Sequence, residues 1–546
     1  MNNERTQWGL PLAALLLALL VAAVFCGTLY FHRDMIFDDA FITYRYAKNL
    51  ADGHGPTWNP GEPPTEGYTN FLFVLILAPF IKMGLDPLAA ARGISLLAAM
   101  GLFFLCFLLG RMREGLSRLQ ALLAALAFIA GTRTDLLIML GLETVLYAFL
   151  LGLSFLFAVR YINNRSSRAA AAIGISSLLA ILLRPDGILF PAVAGVVLLF
   201  ALPDRKKMLG QLAGIWSLTL VLPLAAYFSW KFCYYNDVLP NPFYIKAASA
   251  GLIRPEGFWS VLDFIGYHRV LIVLMLLSVL MRPAGMKDAA GTLALIFIAV
   301  YLVFYLRVDT LMDAAGRFLY PLVPFVLFLG LPALGALFRA PTNVRLPEAA
   351  RGLLTCLFFF LLFYADPHSA IINTRRAMLG RSAYPNKDSL MQKEYRLSRI
   401  LAEYEDIKNV KIALGDVGVM GYFSGAKILD IVGLNDSFIA RNKDRNLLVD
   451  YFFGQMPTLM LASSNRNNTW FELGHGPLGN LNEWMRDPRW DDYEYIGTVT
   501  FSSMYDFQLL LRRDYAGYDA FSAFLRQRVA DLTHERFPLP LGTYNP

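Results

Sequence analysis

Two adjacent carboxylates, Asp38 and Asp39, follow closely on a long apolar run and open the segment DDAFITYRYAKNL. An unpaired carboxylate beside hydrocarbon costs several kcal/mol, so the pair needs either partners or a reaction. The reaction it suits is general-base catalysis, in which a carboxylate takes the proton of a hydroxyl. At helical spacing Asp39, Thr43 and Tyr46 share one face, and Asp38, Ile42 and Arg45 share the next. Arg45 is therefore the cation within one to two turns of either acid. The plainer alternative is a helix N-cap, which satisfies free N–H groups but needs one acid, not two.

The sequence that follows is rich in turns: Gly53-His54-Gly55, Trp58-Asn59-Pro60-Gly61 and Glu66-Gly67-Tyr68-Thr69-Asn70. Its aromatic, amide and carboxyl groups suit a sugar, and His54, Glu66, Tyr68 and Asn70 are the candidates to bind one. Further along, Lys246 lies in YYNDVLPNPFYIK together with Asn241 and Tyr244, Arg317 in DAAGRFLY, and Arg184 in LLRPDG. Cations at a lipid interface can stabilise a departing lipid phosphate, or can simply snorkel as anchors. Arg184 can also pair locally with Asp186. Glu143, in GLETVLYAF, is an acid just inside an apolar run, where acids usually face a bundle interior; Arg184 or Arg133 are its candidate partners.

These residues need a scaffold, and composition indicates which. Apolar residues make up 56% of the chain and charged residues 17%, with a mean hydropathy of +0.46, far from a soluble average. The net charge of +7 comes largely from short basic clusters between apolar runs, which indicates membrane topology and not nucleic-acid binding. The four cysteines lie in or beside apolar runs without a CxxC or Cys/His grouping. A divalent cation, Mg or Mn, would have to be held by Asp38 or Asp39.

About eleven apolar stretches reach the length of a span: 9–31, 88–110, 118–132, 136–159, 169–183, 187–202, 209–232, 268–281, 290–306, 319–338 and 351–365. The first is too long for a signal-peptide core and reads as an uncleaved span. The stretch 71–81 is too short to cross and reads as an interfacial or re-entrant helix. With it so placed, the basic clusters at 111–113, 160–168, 205–207, 282–287 and 339–345 all fall on the side of the N-terminus, which the positive-inside rule makes cytoplasmic. The loop 32–70, the other polar loops and everything after residue 366 then face outward.

From residue 366 the pattern turns soluble. KIALGD (411–416), KILDIV (427–432) and PTLMLA (457–462) are short apolar runs bounded by Gly, Asp and Pro, as buried strands are, and 493–512 reads as two more strands about Ser502-Ser503. The expected organisation is a transmembrane module, 1–365, carrying a catalytic outer loop at 32–70, and an extracytoplasmic α/β domain, 366–546.

The segment DDAFITYRYAKNLADGHGPTWNPGEPPTEGYTN resembles the GT-C membrane glycosyltransferases, and among them the arabinofuranosyltransferases of the AftB and TfpW types, which use polyprenyl-phosphoryl arabinofuranose. The resemblance continues through LLRPDG, LPNPFYIK, GRFLYPLVPF and GDVGVMGYFSGAKILDIVGLND. It implies a helical bundle with a cavity open to the outer face of the bacterial inner membrane, a periplasmic C-terminal domain, and Asp38 or Asp39 as the first-loop catalytic acid. The implied partners are a polyprenyl-phosphate-linked sugar donor, a glycan or glycoprotein acceptor and membrane lipids. A hexose or aminoarabinose donor is the nearest alternative. A glycolipid transporter or flippase would show paired broken helices in two related halves, and a non-catalytic glycan-binding protein would tolerate loss of the carboxylates.

Overall fold

In the computed structural model, the residues described are 25–112, 118–201, 205–247, 254–281, 288–310, 313–339, 390–465, 471–472, 487–500, 505–530 and 533–534, with a few isolated positions between them. The chain divides into two compact units, one of 1–35, 88–229 and 250–383, the other of 36–87, 230–249 and 384–546.

The first unit is helical. Four helices among the described residues are long and apolar enough to cross a membrane: Pro87–Met112, Thr144–Asn164, Gly210–Tyr235 (its last turn belonging to the second unit) and Ala314–Ala336. A fifth crossing results if Pro255–Tyr267 and Arg269–Leu280, bent by 83° at His268, count as one span. Several other expected spans are present as shorter apolar helices, among them Ser167–Leu183 and Ala289–Tyr305. The stretch 351–365 and most of 9–31 lie outside the described residues.

Two of these departures have local causes. The expected 136–159 span is interrupted at Leu140–Glu143, where Gly141 adopts a φ of +71°. The expected 187–202 span begins with a 3-10 turn, Pro185–Ile188, because Arg184 is extended and Pro185 cannot continue the preceding helix. A Cβ on Gly187 would lie 2.9 Å from backbone atoms of Ala180 and Ile181, so this turn requires glycine.

The second unit carries a mixed sheet: β1 (Lys411–Leu414), β2 (Lys427–Asp430), β3 (Leu459–Asn465), β4 (Phe471–Glu472), β5 (Tyr493–Thr500), β6 (Tyr505–Arg512) and β7 (Thr533–His534). The order is β2-β1-β3-β6-β5-β7, with β4 paired to β3. β1 runs parallel to β2 and β3, while the β3–β6, β6–β5 and β5–β7 pairs are antiparallel. The five strands expected from the sequence are all present; residues 501–504, with the Ser502-Ser503 turn, lie outside those described. One core packs Ala413, Leu429, Leu448, Phe452, Met460, Trp484, Trp490 and Leu510. The Gly418–Ser424 helix links β1 to β2, and the Leu390–Leu401 helix packs on it.

Chain segments far apart in sequence complete this unit. The Asp38–Ala51 helix packs on the Gly418–Ser424 helix through Phe41 against Phe423 and Tyr422, at ring distances of 5.1 and 5.7 Å. On another side it meets the Phe71–Lys82 helix, the short apolar helix expected from the sequence.

Candidate active site

Neither acid of the pair caps its own helix: the N-cap is Phe37, and both acids lie in the first turn. Asp38 serves a different helix. Its Oδ2 accepts the backbone N–H of Gly418 at 3.0 Å, and its Oδ1 that of Val419 at 2.6 Å. Arg45 does not pair with either acid. Its guanidinium donates to the carbonyls of Trp58 (2.8 Å) and Ala426 (3.1 Å), to that of Gly421 and to Asn59 Oδ1 (2.8 Å), and lies over the Trp58 ring.

The two contacts form one device. Asp38 and Arg45 are seven residues apart, two turns or about 10.5 Å along the same face of their helix. That places a carboxyl group at the N–H groups that open the Gly418–Ser424 helix and a guanidinium at the carbonyls of Gly421, within it, and Ala426, just past its end. The glycines of GDVGVMG make this approach possible. A Cβ on Gly418 would fall 2.0 Å from the Asp38 carbonyl oxygen, and one on Gly421 2.8 Å from Arg45 Nη1.

The neighbouring face of the first-loop helix meets the turn-rich sequence. Thr43 exchanges hydrogen bonds with Asn70, and the Tyr46 hydroxyl accepts the Gly67 N–H at 2.9 Å and donates toward Thr65 O and Asn435 Oδ1. Asn435 is in turn held by Asp430, whose carboxylate gathers the N–H groups of Val432, Gly433 and Asn435. Asp39 belongs to this face and is half-buried, whereas Asp38 is only 8% exposed.

Burial, reinforced by Asp416, pushes the Asp38 carboxyl up to about 8, against the opposing pull of the Val419 and Gly418 N–H groups. Glu394, on the Leu390–Leu401 helix, is 1% exposed and faces the backbone N–H of Met420. Burial, with Asp38 and Asp416 nearby, raises it well above the usual carboxylate range.

Glu66, Tyr68, Asn241 and Tyr244 all make polar contacts within this unit. Glu66 forms a buried ion pair with Lys231 (2.8 Å) and is pushed up to about 7 by burial, with Lys231 opposing. The Tyr68 hydroxyl meets that of Tyr235 at 3.0 Å. Asn241 donates its backbone N–H to Glu66 O and accepts from Ser437 Oγ, while its buried Nδ2 has no partner among the described residues. Tyr244 donates to Asp237, which also pairs with Arg441. His54 is exposed in its glycine turn, away from these contacts. The side chain of Lys246 lies outside what is described.

In the helical unit, Arg184 is ion-paired with Asp186 at 3.2 Å and donates to the Tyr305 hydroxyl, while the Asp186 carboxylate also accepts from Tyr301 (2.7 Å) and Tyr305 (2.9 Å). Arg184 and Arg317, both buried, approach the Phe318 ring at 5.2 and 5.0 Å. Glu143 stands half-buried at the start of the Thr144–Asn164 helix without a side-chain capping bond.

Sequence reasoning passed over Lys231, Glu394, Asn435, Tyr301 and Tyr305. Lys231 was detectable as a lone cation in the apolar run before Cys233, and the two tyrosines as polar tips one helical turn apart. Glu394 carries no local signal.

Residues 387–520 match the model of a domain of unknown function, DUF8728. The chain is 26% identical over 284 residues to the terminal beta-(1->2)-arabinofuranosyltransferase of Corynebacterium glutamicum, covering 48% of this chain and 40% of that protein. It is 26% identical over 298 residues to the Mycobacterium tuberculosis protein of the same name, covering 50% and 46%. The chain thus spans less than half the length of the curated relatives it matches. Among solved structures it resembles ArnT from Cupriavidus metallidurans bound to undecaprenyl phosphate, with a TM-score of 0.54 and 13% identity over 84% of this chain and 96% of that one. These findings bear out the resemblance to GT-C membrane glycosyltransferases, and the chain shares the fold of that solved structure, with several helices long and apolar enough to cross a membrane among the described residues.

Proposed function

We propose that this protein is a glycosyltransferase that moves a sugar, D-arabinofuranose, from a polyprenyl-phosphate donor to a hydroxyl of a glycan or glycoprotein acceptor on the outer face of the bacterial cytoplasmic membrane. The chain crosses the membrane about eleven times, with the first loop and the sheet-bearing residues outside. The observation that carries this reading is the Asp38-Asp39 pair, on a first-loop helix seated in a built polar environment. The fold shared with an undecaprenyl-phosphate-bound protein and the names of the curated relatives support it.

In the reaction, one carboxylate of the pair takes the proton of the acceptor hydroxyl as its oxygen attacks the anomeric carbon. The bond from that carbon to the phosphate oxygen breaks, and the electron pair leaves with the polyprenyl phosphate. Lys246, Arg317 and Arg184 are assigned to the phosphate for their charge. Glu66, Tyr68, Asn70, Asn241 and Tyr244 shape the sugar-binding surroundings.

A divalent cation fits the described residues poorly. No three His, Cys, Asp or Glu side chains among them come together as a ligand set, and both oxygens of Asp38 face N–H donors, which disfavour a cation there.

The test is transfer by the purified, reconstituted chain from synthetic polyprenyl-phosphoryl arabinofuranose, with linkage analysis of the product. Transfer only from a hexose or aminoarabinose donor would reassign the sugar. Transbilayer movement of a glycolipid without transfer would replace the reading with that of a flippase.

A further inference from the structure

The paired acids invite the question of which one reacts, and the geometry separates them. Asp38 lies on the same helix face as Arg45, with both carboxylate oxygens taken by the Gly418 and Val419 N–H groups. Asp39, rotated by about 100° on the helix, is itself half-buried, at the head of the face whose buried side chains Thr43 and Tyr46 bond to Asn70 and Gly67. A base must reach the proton it removes, and a carboxylate enclosed by two backbone donors and 8% exposed is badly placed to do so.

Resting on the glycosyltransferase reading, we propose that Asp38 is a positioning residue, clamping with Arg45 the two ends of the Gly418–Ser424 helix, and that Asp39 is the base that this clamp aims at the acceptor hydroxyl. Asp39 takes the hydroxyl proton as the new glycosidic bond forms and the bond to the lipid phosphate breaks. Asp38 exchanges no proton with substrate. Its partner Gly418 must remain without a side chain, because a Cβ there would meet the carbonyl of Asp38 itself.

The clamp also assigns a purpose to the distance between the motifs. DDAFITYR and GDVGVMGYFSG are separated by more than 360 residues, yet each supplies half of one contact surface. Substrate-face geometry is then set by packing between them, with Phe41 against Phe423 and Tyr422 holding the two helices side by side.

The experiment compares Asp38→Asn, Asp38→Ala and Asp39→Asn in the full-length reconstituted chain. Readouts are kcat, donor KM, the pH–rate profile and deuterium exchange at the amides of residues 418–420. Asp39→Asn is expected to lower kcat at least a hundredfold with exchange unchanged. Asp38→Asn keeps one acceptor oxygen, so it should retain kcat within about tenfold with the acidic limb of the profile in place. Asp38→Ala should lose more activity and speed exchange at 418–420.

An Asp38→Asn variant as inactive as Asp39→Asn, with exchange still slow, would make Asp38 the base and overturn the assignment. Unchanged exchange in Asp38→Ala would overturn the clamp whatever the activity. If the wild-type chain transfers no sugar from any lipid-phosphate donor, the proposed function fails and the role of Asp39 with it, while the exchange data still decide whether the clamp exists.

Discussion

The Asp38 carboxylate accepts the backbone N–H of Val419 at 2.6 Å, across 381 residues of intervening chain. That bond joins the first loop to the crossover helix between β1 and β2. Two turns along the same helix, Arg45 completes the attachment at the carbonyls of Gly421 and Ala426. The Asp38–Ala51 helix is thus packed as part of the sheet-bearing unit, and this attachment fixes its geometry.

Gly418→Ala tests how tightly that attachment depends on backbone approach. The added Cβ would lie 2.0 Å from the Asp38 carbonyl oxygen, where backbone and not a flexible tip must give way. Overpacking of this kind costs about 1–3 kcal/mol, so a lower thermal midpoint and reduced transfer are expected together. A variant with wild-type midpoint and activity would show that the helices can separate without consequence.

The strands were legible because KIALGD, KILDIV and PTLMLA are short apolar runs closed by Gly, Asp or Pro, a signal that survives without tertiary information. The paired acids were legible as an anomaly, since charge beside hydrocarbon is costly. Their partners were not. Gly418 and Gly421 of GDVGVMG sit in a helix and serve close approach to a segment hundreds of residues earlier, which nothing in their own neighbourhood signals. Arg45 looked like a partner for the acids because spacing reports which residues share a face, not what that face meets. Lys231 was absorbed into an apolar run, and its partner Glu66 lies in a loop with no fixed spacing to it.

The Lys231–Glu66 pair offers a second measurement. Both side chains are about 5% exposed, so neither charge can fall back on solvent when the other is removed. Breaking a buried pair by deleting one partner costs about 3–5 kcal/mol, whereas replacing both with apolar groups is often neutral. Lys231→Met should therefore destabilise strongly, and Lys231→Met with Glu66→Leu should recover much of the loss in a double-mutant cycle of thermal midpoints. Additive losses would mean the two side chains contribute independently.

Glu394 makes a prediction with a defined sign. Its folded-state pKa is raised by burial and by Asp38 and Asp416, so between the unfolded carboxyl pKa and that raised value the unfolded chain gives up a proton that the folded chain keeps. Stability then falls as pH rises above the ordinary carboxylate range. Glu394→Gln, which resembles the neutral acid in shape, should match the wild type near pH 4 and become progressively more stable than it toward pH 8. A constant difference between the two proteins across that interval would place an ionised Glu394 in the folded state.

Arg184 separates a structural cation from a phosphate-binding one. Its Nε reaches Asp186 and its Nη2 the Tyr305 hydroxyl, a fork that lysine cannot reproduce with a single ammonium. Arg184→Lys should cost about 1.5–3 kcal/mol, the range for hydrogen bonds to charged groups, through loss of this buried network. The guanidinium is already engaged by a carboxylate and a hydroxyl, so the rise in donor KM should be smaller than that from Arg317→Ala. Thermal midpoints with donor-dependent kinetics on the two variants decide the matter. If Arg184→Lys leaves the midpoint alone and raises donor KM tenfold or more, Arg184 spends its charge on the lipid phosphate, and Asp186 with its two tyrosines serves to orient it.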